Sequence, residues 1–517
     1  MSLRRILNML AAFSASQGVS VVNQFLVPPI FLHRYVNGLE LYGEWIALSA
    51  AVNYLSTINF GIQTYANNQM TIHYNRGEFT QCRSVQSCAL RLLLILMLLL
   101  APLCGMCMTL PIARWLGLQH VSQKEAALTL CLLVLQILVN MIFSLLANSF
   151  LVVGKAHKGA NWTNVLRLAS TLSLGALVWE HASFPLLALT QLLLNVVFIF
   201  LVVADIRWTA PVLFPSLRHY QPDVMRSIIR PSAHFGLLAG ASFLTWQAPL
   251  LLMQKLLGPT AVAVFALVRA IYTMSRQALA VLSLSIGQEI THLVGRSDWK
   301  QLHRLYDLSE RVVLLCTPII SVGTLLGSPF LLAVWLHNRM LYRPGLCILM
   351  GLTSAVMGIK EHKYQFQSAS NQHEQLSEAV LAGYGTMIVA SIFTIKVFGV
   401  SGFMVTWLLT ECVLTALILR MNMKLFPDGR TIELNQIFRL VGVLLVAFGS
   451  AGWLAYRAVY ESVPVTLEIA VAFVFVVFMI SYYLFGVDEV RSVVMARLRS
   501  RTRYERSVAL EGGSLGG

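Results

Sequence analysis

Charged residues are scarce in this chain, at 12% of its 517 residues, whereas hydrophobic residues make up 57%. A soluble globular domain carries about 25% charged residues, so the composition excludes a soluble enzyme or binding module. Apolar runs of helical length follow one another along the sequence and predict an all-α polytopic membrane protein. The net charge of +15 does not indicate nucleic-acid binding, because the basic residues stand between the apolar runs and in the C-terminal tail.

Motifs of catalysis and of ATP use are also missing. The sequence contains no P-loop, no H-E-x-x-H and no G-x-S-x-G, so we predict neither an enzyme nor an ATP-driven pump. Among the eight cysteines, Cys104 and Cys107 form a C-x-x-C inside an apolar run, without a second pair or histidine partners. This pattern favours helix packing over zinc or redox chemistry, and we expect no metal and no cofactor.

Fourteen transmembrane helices are predicted from the apolar runs and the polar breaks between them. The spans lie near 6–32, 42–73, 84–111, 124–153, 160–179, 184–205, 232–257, 260–294, 305–335, 343–369, 376–398, 401–423, 436–457 and 464–486. We divide the chain into a six-helix lobe at 1–205, a cytoplasmic linker at 206–231, a second six-helix lobe at 232–425, two additional helices at 426–487 and a basic cytoplasmic tail at 488–517.

The two lobes are related by a repeat with a constant offset of 220 residues. The offset carries Gly38 to Gly258 and Arg91 to Arg311, and it also relates Arg76 to Arg296, Glu78 to Asp298, Phe79 to Trp299 and Trp115 to Trp335. Such a repeat predicts pseudo-symmetric lobes with a cavity between them. Lys and Arg are concentrated on the side of the N-terminus, which places both termini in the cytoplasm, with the basic tail on anionic lipid.

Three polar residues share one face of the span near 260–294. Arg269, Tyr272 and Arg276 follow the i, i+3, i+7 spacing of a helix face. A charge near the bilayer centre costs roughly 2.5–3.5 kcal/mol, so such arginines face protein or a hydrated cavity. Two interpretations stay open: structural pairing or snorkelling of the arginines, and a cavity-lining site for an anion.

Amides mark the second span, where Asn59, Gln63 and Asn67 share a face. They suit either hydrogen bonding between helices or a wall that binds sugar hydroxyls. In the tenth span, Lys360 and Lys363 stand beside Glu361, near the predicted midplane. Neutralisation of a lysine by Glu361 and a hydrated cationic lumen are the two alternatives there.

Other candidates complete the predicted site. Arg91 and Arg311 are expected to extend a cationic ring, and Gln247 is expected to add a hydrogen bond. The intramembrane carboxylates are the candidates for ion coupling, namely Glu289, Glu361 and Glu411.

Short motifs give this chain a resemblance to a known family. Tyr42-Gly-Glu-Trp45 opens span two, Asn59-Phe-Gly61 lies inside it, Asn75-Arg-Gly-Glu-Phe79 follows it, and Gly154-Lys155 ends span four. With six plus six plus two spans, this pattern resembles the polysaccharide-synthesis (Wzx-type) flippases of the multidrug, oligosaccharidyl-lipid and polysaccharide exporter superfamily. The resemblance implies a bacterial inner-membrane protein that moves an undecaprenyl-diphosphate-linked oligosaccharide to the periplasmic leaflet through a cationic cavity. It also implies a polysaccharide polymerase and glycosyltransferases as partners.

Two other functions stay open. The first is an ion-coupled multidrug or metabolite antiporter of the same superfamily, although that branch often carries a carboxylate in its first span and this chain has none there. The second is a non-transporting membrane scaffold for a polysaccharide-synthesis complex.

Overall fold

The computed structural model describes residues 3–284, 298–338, 341–369, 374–425, 434–459 and 463–486, and the single positions 286, 290, 293 and 294. Glu289, the tail at 488–517 and the side chain of Asn59 lie outside the described residues. Every regular element in the described part is helical. The α-helices are α1 (Leu3–Arg34), α2 (Gly38–Asn75), α3 (Phe79–Thr109), α4 (Ile112–Leu116), α5 (Gln123–Val152), α6 (Ala156–Trp179), α7 (Phe184–Thr209), α8 (Pro222–Trp246), α9 (Ala248–Leu257), α10 (Pro259–Leu284), α11 (Trp299–Leu336), α12 (Pro344–Ala369), α13 (Glu374–Met423), α14 (Leu434–Arg457) and α15 (Val463–Phe485).

These helices confirm the fourteen predicted spans. One span is divided into α8 and α9, and α13 contains two spans on either side of Gly399, whose φ of 61° and ψ of −144° interrupt the helix. Seven helices in the described part are long and apolar enough to cross a membrane by length and composition alone. The other spans include α2, α10 and α12, which carry the polar side chains singled out in the sequence.

The helix starts follow the repeat. Phe79 begins α3 and Trp299 begins α11, while Gly38 begins α2 and Gly258 directly precedes α10. Each pair is separated by the offset of 220 residues found in the sequence. The shared plan of the two halves therefore extends to where their helices begin.

Two compact units make up the chain. Unit 1 comprises residues 1–270, 331–341 and 377–410, and unit 2 comprises 271–330, 342–376 and 411–517. In unit 1, aromatic side chains of α5 and α7 form a core that includes Phe143, Phe150 and Phe198. In unit 2, Tyr306 of α11 packs on Phe366 of α12, with 4.7 Å between ring centroids. Each unit thus has its own buried core.

The Tyr42-Gly-Glu-Trp45 motif has a structural explanation within unit 1. A Cβ at Gly43 would collide with the carbonyl oxygen of Pro259, so only glycine permits this approach of α2 to the start of α10. The fully buried carboxylate of Glu44 accepts hydrogen bonds from the backbone N–H groups of residues 119–121 at 2.6–3.1 Å. The motif therefore fixes the turn after α4 against α2.

Candidate functional site

The guanidinium of Arg269 contacts the break between α8 and α9. It donates a hydrogen bond of 2.7 Å to the carbonyl oxygen of Trp246, the last residue of α8, and lies 5.4 Å from the ring centroid of Phe265. A carbonyl at a helix end has no partner within its own helix. Arg269 supplies that partner, which is one of the structural roles that the sequence left open.

Further along α10, Tyr272 is buried and packs against α12. Its backbone carbonyl accepts a hydrogen bond of 3.2 Å from the hydroxyl of Ser354, and a Cβ added at Gly351 would lie 3.3 Å from the tyrosine ring. Arg276, one turn later, is half-buried. Tyr272 therefore helps to fix the packing of α10 on α12, while Arg276 is half-buried, as is Arg269.

Buried charges of α12 form the most concentrated polar cluster in unit 2. The ammonium of Lys360 donates to the Glu411 carboxylate at 2.5 Å, and these residues are 6% and 0% exposed. Lys363 forms a second ion pair with Glu310 and lies 4.6 Å from the ring centroid of Tyr306. Both lysines are thus paired with carboxylates that lie on neighbouring helices.

These partners differ from one of the alternatives that the sequence left open. Neutralisation of Lys360 or Lys363 by Glu361 was that alternative, but the carboxylates that pair with them belong to Glu411 on α13 and Glu310 on α11. Adjacent helical positions point about 100° apart, so a residue next to a lysine in sequence does not face the same neighbour. Glu310 was not singled out, because its proximity to Lys363 arises only when α11 packs on α12.

Neutral hydrogen bonds extend this cluster toward the end of α12. Gln367 donates to the side-chain oxygen of Asn422 at 2.7 Å, and Asn422 donates to the backbone carbonyl of Lys363 at 3.1 Å. The ring of His362 lies 2.8 Å from the hydroxyl of Ser309. Together with the ion pairs, these contacts join α12 to α11 and α13, and we call this group of contacts the α12 network.

The remaining predicted site residues lie in other surroundings. Gln63 donates to the carbonyl of Met141 at 3.1 Å, Gln247 is half-buried at the break after α8, and Arg91 donates to the carbonyl of Leu217 at 3.0 Å. Arg311 is exposed near the start of α11. The structure thus groups Lys360, Lys363 and Glu411, whereas Gln63 and Arg91 bond to backbone carbonyls.

No cluster of three or more His, Cys, Asp or Glu residues suited to a metal ion occurs in the described part of the chain. The polar groups of the α12 network are charge pairs and amide hydrogen bonds. Such groups suit recognition of charged or hydroxyl-bearing molecules and movement of protons.

Comparison with known proteins identifies the fold. No family model and no curated protein sequence matches the chain. The structure of the lipid II flippase MurJ in an inward closed conformation matches with a TM-score of 0.67 at 12% identity, covering 93% of this chain and 100% of that one. An inward-facing multidrug resistance MATE family transporter of the MOP superfamily matches with a TM-score of 0.60 at 12% identity, covering 80% of this chain and 96% of that one.

A second MATE structure, the multidrug transporter DinF-BH, matches with a TM-score of 0.58 at 16% identity and covers 80% of this chain and 94% of that one. At these identities the likeness establishes the fold. The chain is therefore a multi-pass membrane protein with the fold of MOP-superfamily transporters. The narrower assignment to the Wzx-type flippases stays a prediction.

Proposed function

We propose that this protein is a flippase for a lipid-linked oligosaccharide. It would move an undecaprenyl-diphosphate-linked glycan from the cytoplasmic to the periplasmic leaflet of a bacterial inner membrane, for surface polysaccharide synthesis. The main support is the match to the flippase structure, which covers 93% of this chain, whereas the two MATE matches above cover 80%. The share of the chain that matches is thus greater for the transporter of a lipid-linked substrate.

The chemistry of the polar residues suits such a substrate. A diphosphate carries negative charge, and guanidinium groups bind phosphate oxygens through paired hydrogen bonds. Arg276 is half-buried and is our first candidate for this contact. Amides such as Gln63 both donate to and accept from sugar hydroxyls. The polyprenyl tail can stay in the lipid, because it is apolar.

We assign ion coupling to the α12 network. A buried ion pair stays charged only while both partners are in place. Uptake of a proton by Glu411 or Glu310 would release Lys360 or Lys363, and the freed ammonium would then attract the diphosphate. Departure of the substrate and release of that proton from the carboxyl group to the opposite side of the membrane would restore the ion pair. This scheme couples the ion pairs of the α12 network to binding of the diphosphate without ATP, in agreement with the absence of a P-loop from the sequence.

Reconstitution tests the proposal directly. The purified protein is placed in vesicles with a defined undecaprenyl-diphosphate oligosaccharide, and a leaflet-specific lectin or enzyme measures how much glycan crosses. We expect transfer by the native protein and at least a tenfold loss in Arg276→Ala, with normal transfer in Arg420→Ala, an exposed arginine of α13. No transfer by the correctly inserted native protein would refute the flippase function.

The alternative is an ion-coupled multidrug antiporter, which the matches to MATE structures favour. Efflux of ethidium or rhodamine from energised vesicles, without transfer of the lipid-linked glycan, would support this alternative.

The flippase proposal has three further parts. Both termini lie in the cytoplasm, the basic tail contacts anionic lipid, and a polymerase and glycosyltransferases are the partners.

A further inference from the structure

A cavity of about 520 Å³ lies along the first turns of α11. Its lining residues are Trp299, Lys300, His303, Arg304, Asp307, Leu308 and Arg311. Lys300, Arg304 and Arg311 are exposed and follow the i, i+4, i+11 spacing of one helix face. The His303 ring lies 3.8 Å from the only carboxylate of the lining, that of Asp307. The lining is therefore cationic on balance.

The position of the last charge places this cavity at the membrane surface. Residues 312–336 of α11 carry no charged side chain. At about 1.5 Å per residue they extend about 37 Å, which is more than the about 30 Å of the hydrocarbon core. Arg311 therefore marks the end of the apolar segment, and the cavity lies at the level of lipid headgroups. Trp299 is typical of the same level, where tryptophan is enriched.

The equivalent face of α3, in the first half of the chain, also carries basic side chains, and these bind backbone carbonyls. Arg83 donates to the carbonyl of Val212 at 2.9 Å, and Arg91 donates to that of Leu217 at 3.0 Å and lies 4.4 Å from the ring of Tyr220. Carbonyl oxygens of the linker between the halves thus accept hydrogen bonds from Arg83 and Arg91. On α11, the equivalents of these arginines, His303 and Arg311, are among the lining residues of the cavity.

The exposure of neighbouring side chains also differs between α3 and α11. On α3, Ser84 and Ser87 are fully buried, whereas Arg304, the equivalent of Ser84, is exposed on α11. Small neutral residues suit a face covered by protein, and an arginine suits a face that is open to an anion. The two halves therefore differ at Ser84 and Arg304, and Arg304 lines the cavity.

We propose that the cavity on α11 binds the phosphate group of an anionic lipid headgroup. Two arginines and a lysine offer hydrogen-bond donors with positive charge, the combination that binds phosphate most strongly. The volume falls within the range of about 300–1,000 Å³ typical of small-ligand pockets. This site goes beyond the proposed transport function, because it requires a phosphate on the lipid but no particular glycan.

Native mass spectrometry of the purified full chain in detergent tests the proposal. Phosphatidylglycerol is the anionic probe, phosphatidylcholine is the zwitterionic control, and inorganic pyrophosphate is added as a soluble competitor. The test variant carries Lys300→Gln, Arg304→Gln and Arg311→Gln. The matched control carries Arg207→Gln, Arg218→Gln and Arg226→Gln, which remove the same charge from exposed arginines outside the cavity.

We expect the native chain and the matched control to bind phosphatidylglycerol over phosphatidylcholine, and the test variant to bind it about tenfold more weakly. Competition by pyrophosphate supports recognition of the phosphate group itself. Pyrophosphate binding without lipid binding would replace the lipid source with a soluble diphosphate, in the same cavity. Equal lipid binding by native chain and test variant, or equal loss in both variants, overturns the proposal.

Discussion

The two halves of the chain bridge equivalent pairs of helices with different chemistry. On α5, Asn140 donates to the side-chain oxygen of Asn195 on α7 at 2.7 Å. The offset of 220 residues carries Asn140 to Lys360, which on α12 pairs with Glu411 of α13 at 2.5 Å. The same offset relates Glu411 to Gln191, which lies one turn before Asn195 on α7. Where the first half uses neutral amides, the second half uses an ammonium and a carboxylate.

This difference indicates that stability alone does not account for the charges. Removing two ions from water costs several kcal/mol each, and a buried pair offsets that cost only with good geometry. A hydrogen bond between neutral amides holds membrane helices together without such a cost. Since the protein already uses the neutral solution in its first half, the charged pair in the second half is best explained by a role in function.

The largest expected effect comes from breaking the charged pair on one side. In Lys360→Ala, the buried carboxylate of Glu411 loses its counter-ion, and we expect the free energy of unfolding to fall by about 3–5 kcal/mol. Thermal unfolding of the purified protein in detergent measures the loss. The control is Lys396→Ala, which removes an exposed lysine of α13.

A double variant separates stability from function. Lys360→Asn with Glu411→Gln introduces the residues of the equivalent positions in the first half, Asn140 and Gln191. We expect most of the stability lost in Lys360→Ala to return, because no uncompensated ion remains. Transfer of the lipid-linked glycan should be abolished, because the charges are gone. A double variant with full transport would show that the charges serve only packing.

Glu44 offers a buried carboxylate from the first half for comparison. Its oxygens accept hydrogen bonds from the backbone N–H groups of residues 119–121 and contact the ring of His120. Glu44→Ala therefore leaves these N–H groups, of which that of Val121 is buried, without their acceptor. We expect a loss of about 2–3 kcal/mol in the free energy of unfolding. Glu44→Gln keeps one acceptor oxygen and should lose less. Equal unfolding temperatures for both variants would contradict this explanation.

The neutral bridge should be weaker than the charged one. Asn140→Ala removes an amide hydrogen bond to Asn195 between α5 and α7, and such bonds in membranes contribute about 0.6–2 kcal/mol. We expect a loss of that size, measured by the same unfolding assay, and unchanged transport. A larger loss than in Lys360→Ala would reverse the order that the comparison predicts.

The smallest effects on the free energy of unfolding are expected for the arginines on the basic faces of α3 and α11. Arg91→Gln removes a hydrogen bond to the linker carbonyl of Leu217, with a net cost of about 0.5–1.5 kcal/mol. Arg311→Gln alters an exposed side chain of the cavity, and its effect on unfolding should be close to zero in the absence of lipid. Anionic lipid should stabilise the native chain more than Arg311→Gln.

Much of the fold could be predicted, because the relevant signals are local. The apolar runs predicted most of the spans to within a few residues, although α8 begins at Pro222, ten residues before the predicted start at 232, and α10 ends at Leu284 against a predicted end at 294. The offset between Phe79 and Trp299 recurs in the starts of α3 and α11. The division of one span into α8 and α9 was missed, although Pro249 near the start of α9 offered a signal. A proline lacks the N–H that would continue the preceding helix, so α8 ends before it.

The site could be predicted only in part. Lys360, Lys363 and Glu411 were selected because charge within a span is costly, and the structure places them in one network. The pairing was not predicted, because Glu411 lies 51 residues from Lys360 and Glu310 lies 53 residues from Lys363. Gly43 and Glu44 show the same limit, since their partners belong to distant segments.

The sequence by itself determined that this chain has many membrane-spanning segments and an internal repeat. Hydropathy is a property of consecutive residues, and a repeat is detected by comparing residues at a constant offset, so neither needs the tertiary structure. Only the tertiary structure decided which charges meet, which arginines bond to backbone carbonyls and which basic face lines a cavity. Those outcomes depend on how separate helices pack, because the partner of a side chain lies on the helix that packs against it.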